Sequence, residues 1–347
     1  MRWRGSASAG VRWSAAEGAA EPSPEAAPEP DPVAPPENAH RPLIVVLGPT
    51  ASGKTALGIA LAQRFGGEIV SADSRQIYQH MDIGTAKPSP VDRAAVPHHL
   101  LDLVTPDQTI TLAEYQHAAY AAIDDIHGRG GLPLLVGGTG QYISAVIEGW
   151  GIPEVPPNSN LRAELEAFAE EHGAQALHAR LHQHDPEAAS RIDYRNVRRV
   201  VRALEVFLET GVPISVLQRK HPPPYRLCQL GLTMPRDTLH GRINTRVKRM
   251  IDAGLLDEVR ALLDAGYTWD LPSMSGLGYA QWQPYFAGEK SLDETIAAIQ
   301  QATRAFARRQ MTWFKGHDTG IVWLDAAQGA PETDATRLVE DWILHEG

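Results

Sequence analysis

An apolar, β-branched run, Leu43-Ile-Val-Val-Leu47, leads directly into Gly48, Pro49, Thr50, Ala51, Ser52, Gly53, Lys54 and Thr55, and Ala56-Leu-Gly-Ile-Ala-Leu-Ala62 continues with helical character. The spacing G-x-x-x-x-G-K-T between a strand and a helix is the P-loop pattern. Its glycines let the backbone curl until successive N–H groups point inward at an anion. The helix start adds the positive end of its dipole, Lys54 a point charge, and Thr55 a hydroxyl suited to Mg²⁺. This unit commits the N-terminal part of the chain to α/β architecture and to phosphate binding. It leaves open whether the phosphates belong to ATP, GTP or another diphosphate.

The alternation continues. Glu68–Ala72 reads as a second strand ending at Asp73-Ser74-Arg75-Gln76, and Thr111–Ile126 as a helix with Thr111 as N-cap and Glu114 three residues on. Leu132–Val136 is a third strand closed by Gly137-Gly-Thr139-Gly140, with a helix over Gln141–Ile147. Such alternation predicts a parallel sheet. From 156 to 225 the strand pattern disappears and only helical segments remain, which predicts a helical insertion. Cys228–Leu232 and Gly320–Leu324 return as strands, with helices around 242–265 and 292–315. The expected organisation is a Pro/Ala/Glu-rich disordered tail at 1–40, a P-loop core at 41–155, the insertion at 156–225, a return to the core at 226–330 and a terminal helix at 331–347.

Cys228 is the only cysteine, so no disulfide framework or cysteine-based metal site can form, in keeping with a reducing, cytoplasmic setting. No run reaches membrane-spanning length, and the acidic tail lacks the apolar segment of a secretory signal. The formal charge of −10 argues against a nucleic-acid partner until its distribution is considered. Between Arg191 and Met250 stand thirteen Lys/Arg against four Asp/Glu, a basic sector able to meet a phosphate backbone or to serve as solvated helix surface. At about 100° per residue, Val197, Val200, Val201, Leu204 and Leu208 share one helix face, and Arg195, Arg198, Arg199 and Arg202 the opposite one. Four arginines in one stripe suit bidentate phosphate contact; the alternative is ion pairing with acidic neighbours.

In open parallel sheets ligands lie at the carboxyl ends of the strands. The P-loop, Asp73 and Thr139 should therefore converge on one cleft. There Asp73 suits a metal ligand, a general base or a helix N-cap, and Thr139 a substrate-orienting hydroxyl or ordinary turn chemistry. His98 and His99, adjacent on an extended chain, point to opposite sides and are not expected to share a metal. The histidines between His172 and His184 read as helix surface.

Taken in order, these segments resemble the tRNA dimethylallyltransferases (tRNA isopentenyltransferases), in their bacterial form. The match runs through the P-loop, Asp73-Ser-x-Gln-x-Tyr78, Met81-Asp-Ile-Gly-Thr-Ala-Lys-Pro88, His98-His-Leu100 and Val136-Gly-Gly-Thr-Gly140. It continues with Asp185-Pro186, Arg198–Val206, Met250-Ile-Asp-Ala-Gly-Leu255, Gly278-Tyr279 and Arg308-Arg-Gln-Met-Thr-Trp-Phe314, and covers about residues 41–325. The resemblance implies a P-loop NTPase-like core that transfers a dimethylallyl group from dimethylallyl diphosphate to the exocyclic amine of the adenosine 3′ to the anticodon of tRNA, without ATP hydrolysis. It implies that residues 48–55 hold the diphosphate, assisted by Lys54, Arg242 or Arg246, and Mg²⁺ on Thr55. Asp73 would then be the general base and Thr139 would help hold the amine. Ser74, Arg75 and Gln76 would lie beside a flipped-out base, and Arg162, Arg198 and Arg199 would contact tRNA. Tyr78, Tyr142 and Trp313 would stack on bases, line the prenyl pocket or pack in the core. Ala280-Gln281 departs from the charged pair common after Gly-Tyr in the family. The enzyme is expected to act as a monomer with no membrane association.

Overall fold

The computed structural model describes residues 41–317 and 320–344; the expected tail at 1–40 lies outside them. Among the described residues six strands form one sheet: β1 (Arg41–Leu47), β2 (Gly67–Ala72), β3 (His98–His99), β4 (Leu132–Gly137), β5 (Tyr225–Thr233) and β6 (Ile321–Asp325). Their spatial order is β3-β2-β4-β1-β5-β6, and every pairing is parallel. The apolar run of β1 is continuous because both its faces are covered. Ile44 and Val46 face α1 (Lys54–Phe65) and α14 (Glu332–Leu344), whose Leu57, Leu61, Ala335 and Val339 complete that core. Leu43, Val45 and Leu47 face α3 (Leu112–Gly128) and α4 (Gly140–Glu148) through Tyr115, Ile123, Ile143 and Val146.

Local chemistry sets several boundaries. Thr111 and Glu114 form a reciprocal capping box at the start of α3, and Ser89 with Asp92 does the same for α2 (Pro90–Ala95). The two-residue strand β3, which no sequence pattern predicts, adds a sixth strand to the sheet beside β2. Its histidines go to separate partners, His98 Nδ1 to the Val96 carbonyl at 2.8 Å and His99 Nε2 to Glu68 at 2.7 Å.

Between α4 and β5 lie α5 (Ser159–His172), α6 (Ala174–His184), α7 (Pro186–Arg191), α8 (Val197–Thr210) and α9 (Ile214–Leu217). They enclose their own core of Leu165, Leu177, Leu181, Val200, Val201 and Leu204. Asp185 is buried as the N-cap of α7, accepting from the N–H groups of Ala188 and Ser215 at 2.9 Å each. Two histidines are more than surface: His178 Nε2 meets the carbonyls of Ala189 and Ile192, and His184 stacks on Phe207. After β5 come α10 (Arg236–Asp252), α11 (Leu255–Asp264), α12 (Gln283–Phe286) and the 25-residue α13 (Leu292–Gly316). A further core joins this part to the segment after β2, with Ile77, Met81, Val259, Tyr279, Trp282 and Ile299 buried together.

Candidate active site

The carboxyl ends of three neighbouring strands, β2, β4 and β1, open on one cleft of about 800 Å³. Thr50, Lys54, Thr55, Asp73, Ser74, Arg75, Gln76 and Thr139 line it from the sheet side. Arg246 and Met250 on α10, and Phe306, Arg309 and Gln310 on α13, line it from the other. The expected convergence of the three loops is thus the geometry observed.

The turn after β1 depends on its glycines. Gly48 has φ 141° and packs so tightly that a Cβ would lie 2.7 Å from the Leu232 carbonyl oxygen; Gly53, with φ 100°, forms the left-handed N-cap of α1. Ala51 is also left-handed, at φ 64°. Lys54 folds back so that Nζ donates to the Pro49 carbonyl at 2.8 Å, and Arg246 Nη1 donates to Thr50 Oγ1 at 3.2 Å. Ser52 is fully buried, its Oγ without a hydrogen-bond partner. Lys54 is half-buried as a residue, with its ammonium drawn back into the turn. That burial, reinforced by the neighbouring Arg246 and partly offset by Asp73, lowers its pKa from 10.5 to about 7. Asp73, Lys54 and Arg246 therefore form one electrostatic group.

On the neighbouring loops, Asp73 Oδ1 accepts from the Arg75 N–H at 2.9 Å, which fixes the turn leaving β2. Thr139 sits at the N-cap position of α4 without capping it. Its Oγ1 instead accepts from the Ser74 N–H at 3.0 Å, and its own N–H donates to the Ala72 carbonyl at 3.0 Å. The Gln76 amide donates to the carbonyls of Thr85 and Ala86 and accepts from Ser71 Oγ at 3.2 Å. Arg75 reaches the Pro272 carbonyl at 2.9 Å.

Arg242 stands apart from the cleft. Its guanidinium donates to the Ala327 carbonyl at 3.0 Å, and it borders an adjoining groove of about 730 Å³ with Gly53, Lys54, Thr55 and Arg246. Arg246 borders both spaces.

The arginine stripe needs correction. Arg195 precedes α8, where Asn196 is the N-cap, and its guanidinium is paired with Asp193 at 2.6 Å. Glu205, fully buried in α8, accepts from Arg162 Nε and Nη2 at 2.7 and 2.8 Å, from Arg202 Nη1 at 2.6 Å and from the Asn158 N–H at 2.8 Å. Arg162 and Arg202 therefore serve first as partners of a buried carboxylate, which the two guanidinium groups hold at a pKa of about 2 against the opposing effect of burial. Arg198 and Arg199 are exposed, with no ion pair among the described residues. Leu208, expected on the apolar face, is 40% exposed. Tyr78 and Tyr142 belong to the core, Tyr142 stacked on Tyr115 with ring centroids 3.6 Å apart; Trp313 packs between Trp150 and His317.

The sequence reading missed Gln310. Its Oε1 accepts from the Thr50 N–H at 2.8 Å and its Nε2 donates to the Gly138 carbonyl at 2.9 Å. One side-chain amide thus joins the turn after β1 to the turn after β4. A signal existed: Gln310 interrupts the buried α13 stripe of Ile299, Thr303, Ala307 and Phe314 with an amide.

Among the described residues no group of three or more His, Cys, Asp or Glu is placed to hold a metal. Thr55 and Asp73 supply one hydroxyl and one carboxylate to the cleft. That sparse oxygen set fits Mg²⁺ arriving with phosphate oxygens better than a metal caged by protein alone.

The family model for IPP transferase matches residues 76–317. A tRNA dimethylallyltransferase of Roseiflexus sp. is 56% identical over 302 residues, 87% of this chain and 99% of the relative. One from Chloroflexus aggregans is 56% identical over 281 residues, 81% of this chain and 95% of the relative. Among solved structures, the tRNA isopentenylpyrophosphate transferase of Bacillus halodurans aligns with TM-score 0.64 and 40% identity, covering 87% of this chain and 95% of that one. A eukaryotic dimethylallyltransferase solved acting on tRNA aligns with TM-score 0.76 and 25% identity, covering 88% and 80%. With a family model matching residues 76–317 and these relatives spanning most of its length, the chain, whose P-loop turn, Asp73 and Thr139 meet in one cleft of a parallel sheet, belongs to the IPP transferase family.

Proposed function

We propose that this enzyme transfers a dimethylallyl group from dimethylallyl diphosphate to N6 of the adenosine 3′-adjacent to the anticodon in tRNA. The observation that carries the reading is the meeting of a phosphate cradle, with Lys54 and Arg246, and Asp73 beside Thr139 in one cleft. The N6 lone pair attacks C1 of the dimethylallyl group as the C1–O bond to the diphosphate breaks. The electron pair of that bond leaves with the diphosphate. Backbone N–H groups of residues 53–55, Lys54 and Arg246 offset its growing charge. The proton lost from N6 passes to Asp73, leaving N6-isopentenyladenosine, diphosphate and a proton. Thr139, held by Ser74, orients the amine. Adenine N6 is a poor nucleophile, so positioning and leaving-group stabilisation supply most of the acceleration. Thr55 would hold Mg²⁺, which would supply charge neutralisation at the leaving group when bound.

Arg246 is the better placed of the two candidate arginines; Arg242 serves the adjoining groove. Arg198 and Arg199 offer free guanidinium groups to the tRNA backbone, with Arg75 nearer the base. The enzyme acts as a cytoplasmic monomer in this reading. Among the described residues no helix is long and apolar enough to cross a membrane.

The test is incubation with labelled dimethylallyl diphosphate, Mg²⁺ and unmodified tRNA, followed by nucleoside analysis, with AMP and ATP offered in parallel. Label on the adenosine next to the anticodon supports the reading. Label on AMP alone, or phosphoryl transfer from ATP, overturns it.

A further inference from the structure

Behind the cleft wall, one carboxylate collects an unusual number of donors. Glu258, half-buried on α11, accepts from the N–H groups of Asp82, Ile83 and Gly84 at 2.8, 2.7 and 3.0 Å, and from the Tyr279 hydroxyl at 2.7 Å. Three successive backbone donors converging on one side chain is the arrangement usually offered to an anionic ligand; here the protein supplies the anion itself. Gly84 lies flat on the ring of Tyr279, and a Cβ there would come within 2.4 Å of Tyr279 Cζ. The carboxylate, the loop and the ring therefore fit in one arrangement only.

The loop so held has work to do further along. Gly84, Thr85 and Ala86 line the reaction cleft, and Ala86 also borders the groove beside Arg242 and a further one lined by Lys87, Arg93 and Asp102. Ala86 has φ 51°, a left-handed conformation that a residue with a Cβ adopts only when its surroundings impose it. On its other side the loop is held by Gln76, whose amide takes the Thr85 and Ala86 carbonyls. Gln76 follows Asp73 and Ser74 on the same turn. Glu258 is thus linked through a rigid loop to the turn that carries the proposed base.

We propose that Glu258 is a positioning residue for the transfer: it fixes the 82–86 loop as a wall of the cleft in which the cradle and Asp73 meet, and so sets the approach of the two substrates. This rests on the prenyl-transfer reading above for its kinetic consequence, while the structural clamp stands independently of it.

Glu258→Gln keeps the side-chain volume but loses the charge and sets an NH₂ group where an acceptor stood, facing donors. Its amide hydrogen exchange is compared with wild type, alongside kcat and KM for both substrates and Tm. The expected result is faster exchange at residues 82–84 with the amides of β1 and β4 unchanged, and kcat lowered about 10- to 100-fold in protein that remains folded, as a displacement of about 1 Å would produce. Tyr279→Phe, which removes one of the four donors, should raise exchange at Gly84 and lower kcat by less, and it carries the test if E258Q does not fold. Unchanged exchange at 82–84, or a lower Tm with wild-type kcat in the folded fraction, overturns the proposal. Failure of the wild-type enzyme to transfer the prenyl group would defeat the functional reading instead, leaving the exchange result to decide the clamp.

Discussion

Lys54 should take up a proton when diphosphate binds. The enclosed ammonium, pressed by Arg246 and relieved only in part by Asp73, has its pKa lowered to about 7. At pH 8 about nine-tenths of ligand-free molecules should then carry a neutral Lys54. A diphosphate in the cradle places several negative charges beside that nitrogen and restores its charge. Binding of pyrophosphate at pH 8 should therefore absorb about 0.9 proton at this site, and at pH 6 only about 0.1. The assay is titration calorimetry in buffers of different ionisation enthalpy, comparing wild type with Lys54→Arg. Arginine stays charged throughout, so the difference in uptake isolates Lys54 from the pyrophosphate's own titration. Equal uptake by the two proteins at pH 8 would refute the reasoning. The sign for stability follows from the same shift. Below pH 7 the folded protein must hold a buried charge, and that cost is shed as pH rises from 7 towards 10.5. Lys54→Met should accordingly raise the unfolding free energy most under acid conditions, by at most about 5 kcal/mol from the 10.5-to-7 displacement, read by chemical denaturation at pH 6 and pH 9.

Other expectations follow from the site and the insertion. Asp73→Asn should lower kcat by about 10²- to 10⁴-fold with tRNA affinity retained, read by single-turnover transfer and filter binding. Arg246→Ala should weaken diphosphate binding far more than Arg242→Ala; equal effects would return Arg242 to the cradle. Arg198→Glu with Arg199→Glu should weaken tRNA binding and flatten its salt dependence while leaving Tm near wild type. Glu205→Gln, by contrast, should cost about 3 kcal/mol of stability in chemical denaturation, since it strands two guanidinium groups. Gly137→Ala should lower Tm sharply, because the new Cβ would lie 2.1 Å from the Ala72 carbonyl oxygen.

Five of the six strands were legible as β-branched or apolar runs bounded by turn residues, and α3 was legible from its cap. The two-residue β3 was not, because a pair of histidines carries no periodicity. The residues of the strand-end loops were found because topology forces them to one side of the sheet. The opposite wall was largely missed: Gln310 meets Thr50 across 260 positions and Glu258 meets Ile83 across 175, and no local pattern encodes such contacts. The arginine stripe could be read from the sequence only as two alternatives, for a related reason: the burial of Glu205, which gives Arg162 and Arg202 a carboxylate partner, depends on packing between separate helices.

Side by side at the heart of the sheet, β2, β4 and β1 are spaced by the backbone ladder itself, about 4.8 Å per step. The carboxylate, the threonine turn and the anion cradle are thus set out along a ruler roughly 10 Å long whose gradations no side-chain substitution can move. Differences in the distance between donor and acceptor sites must then come from the facing helices and the loop side chains, while the graduated edge stays as it is.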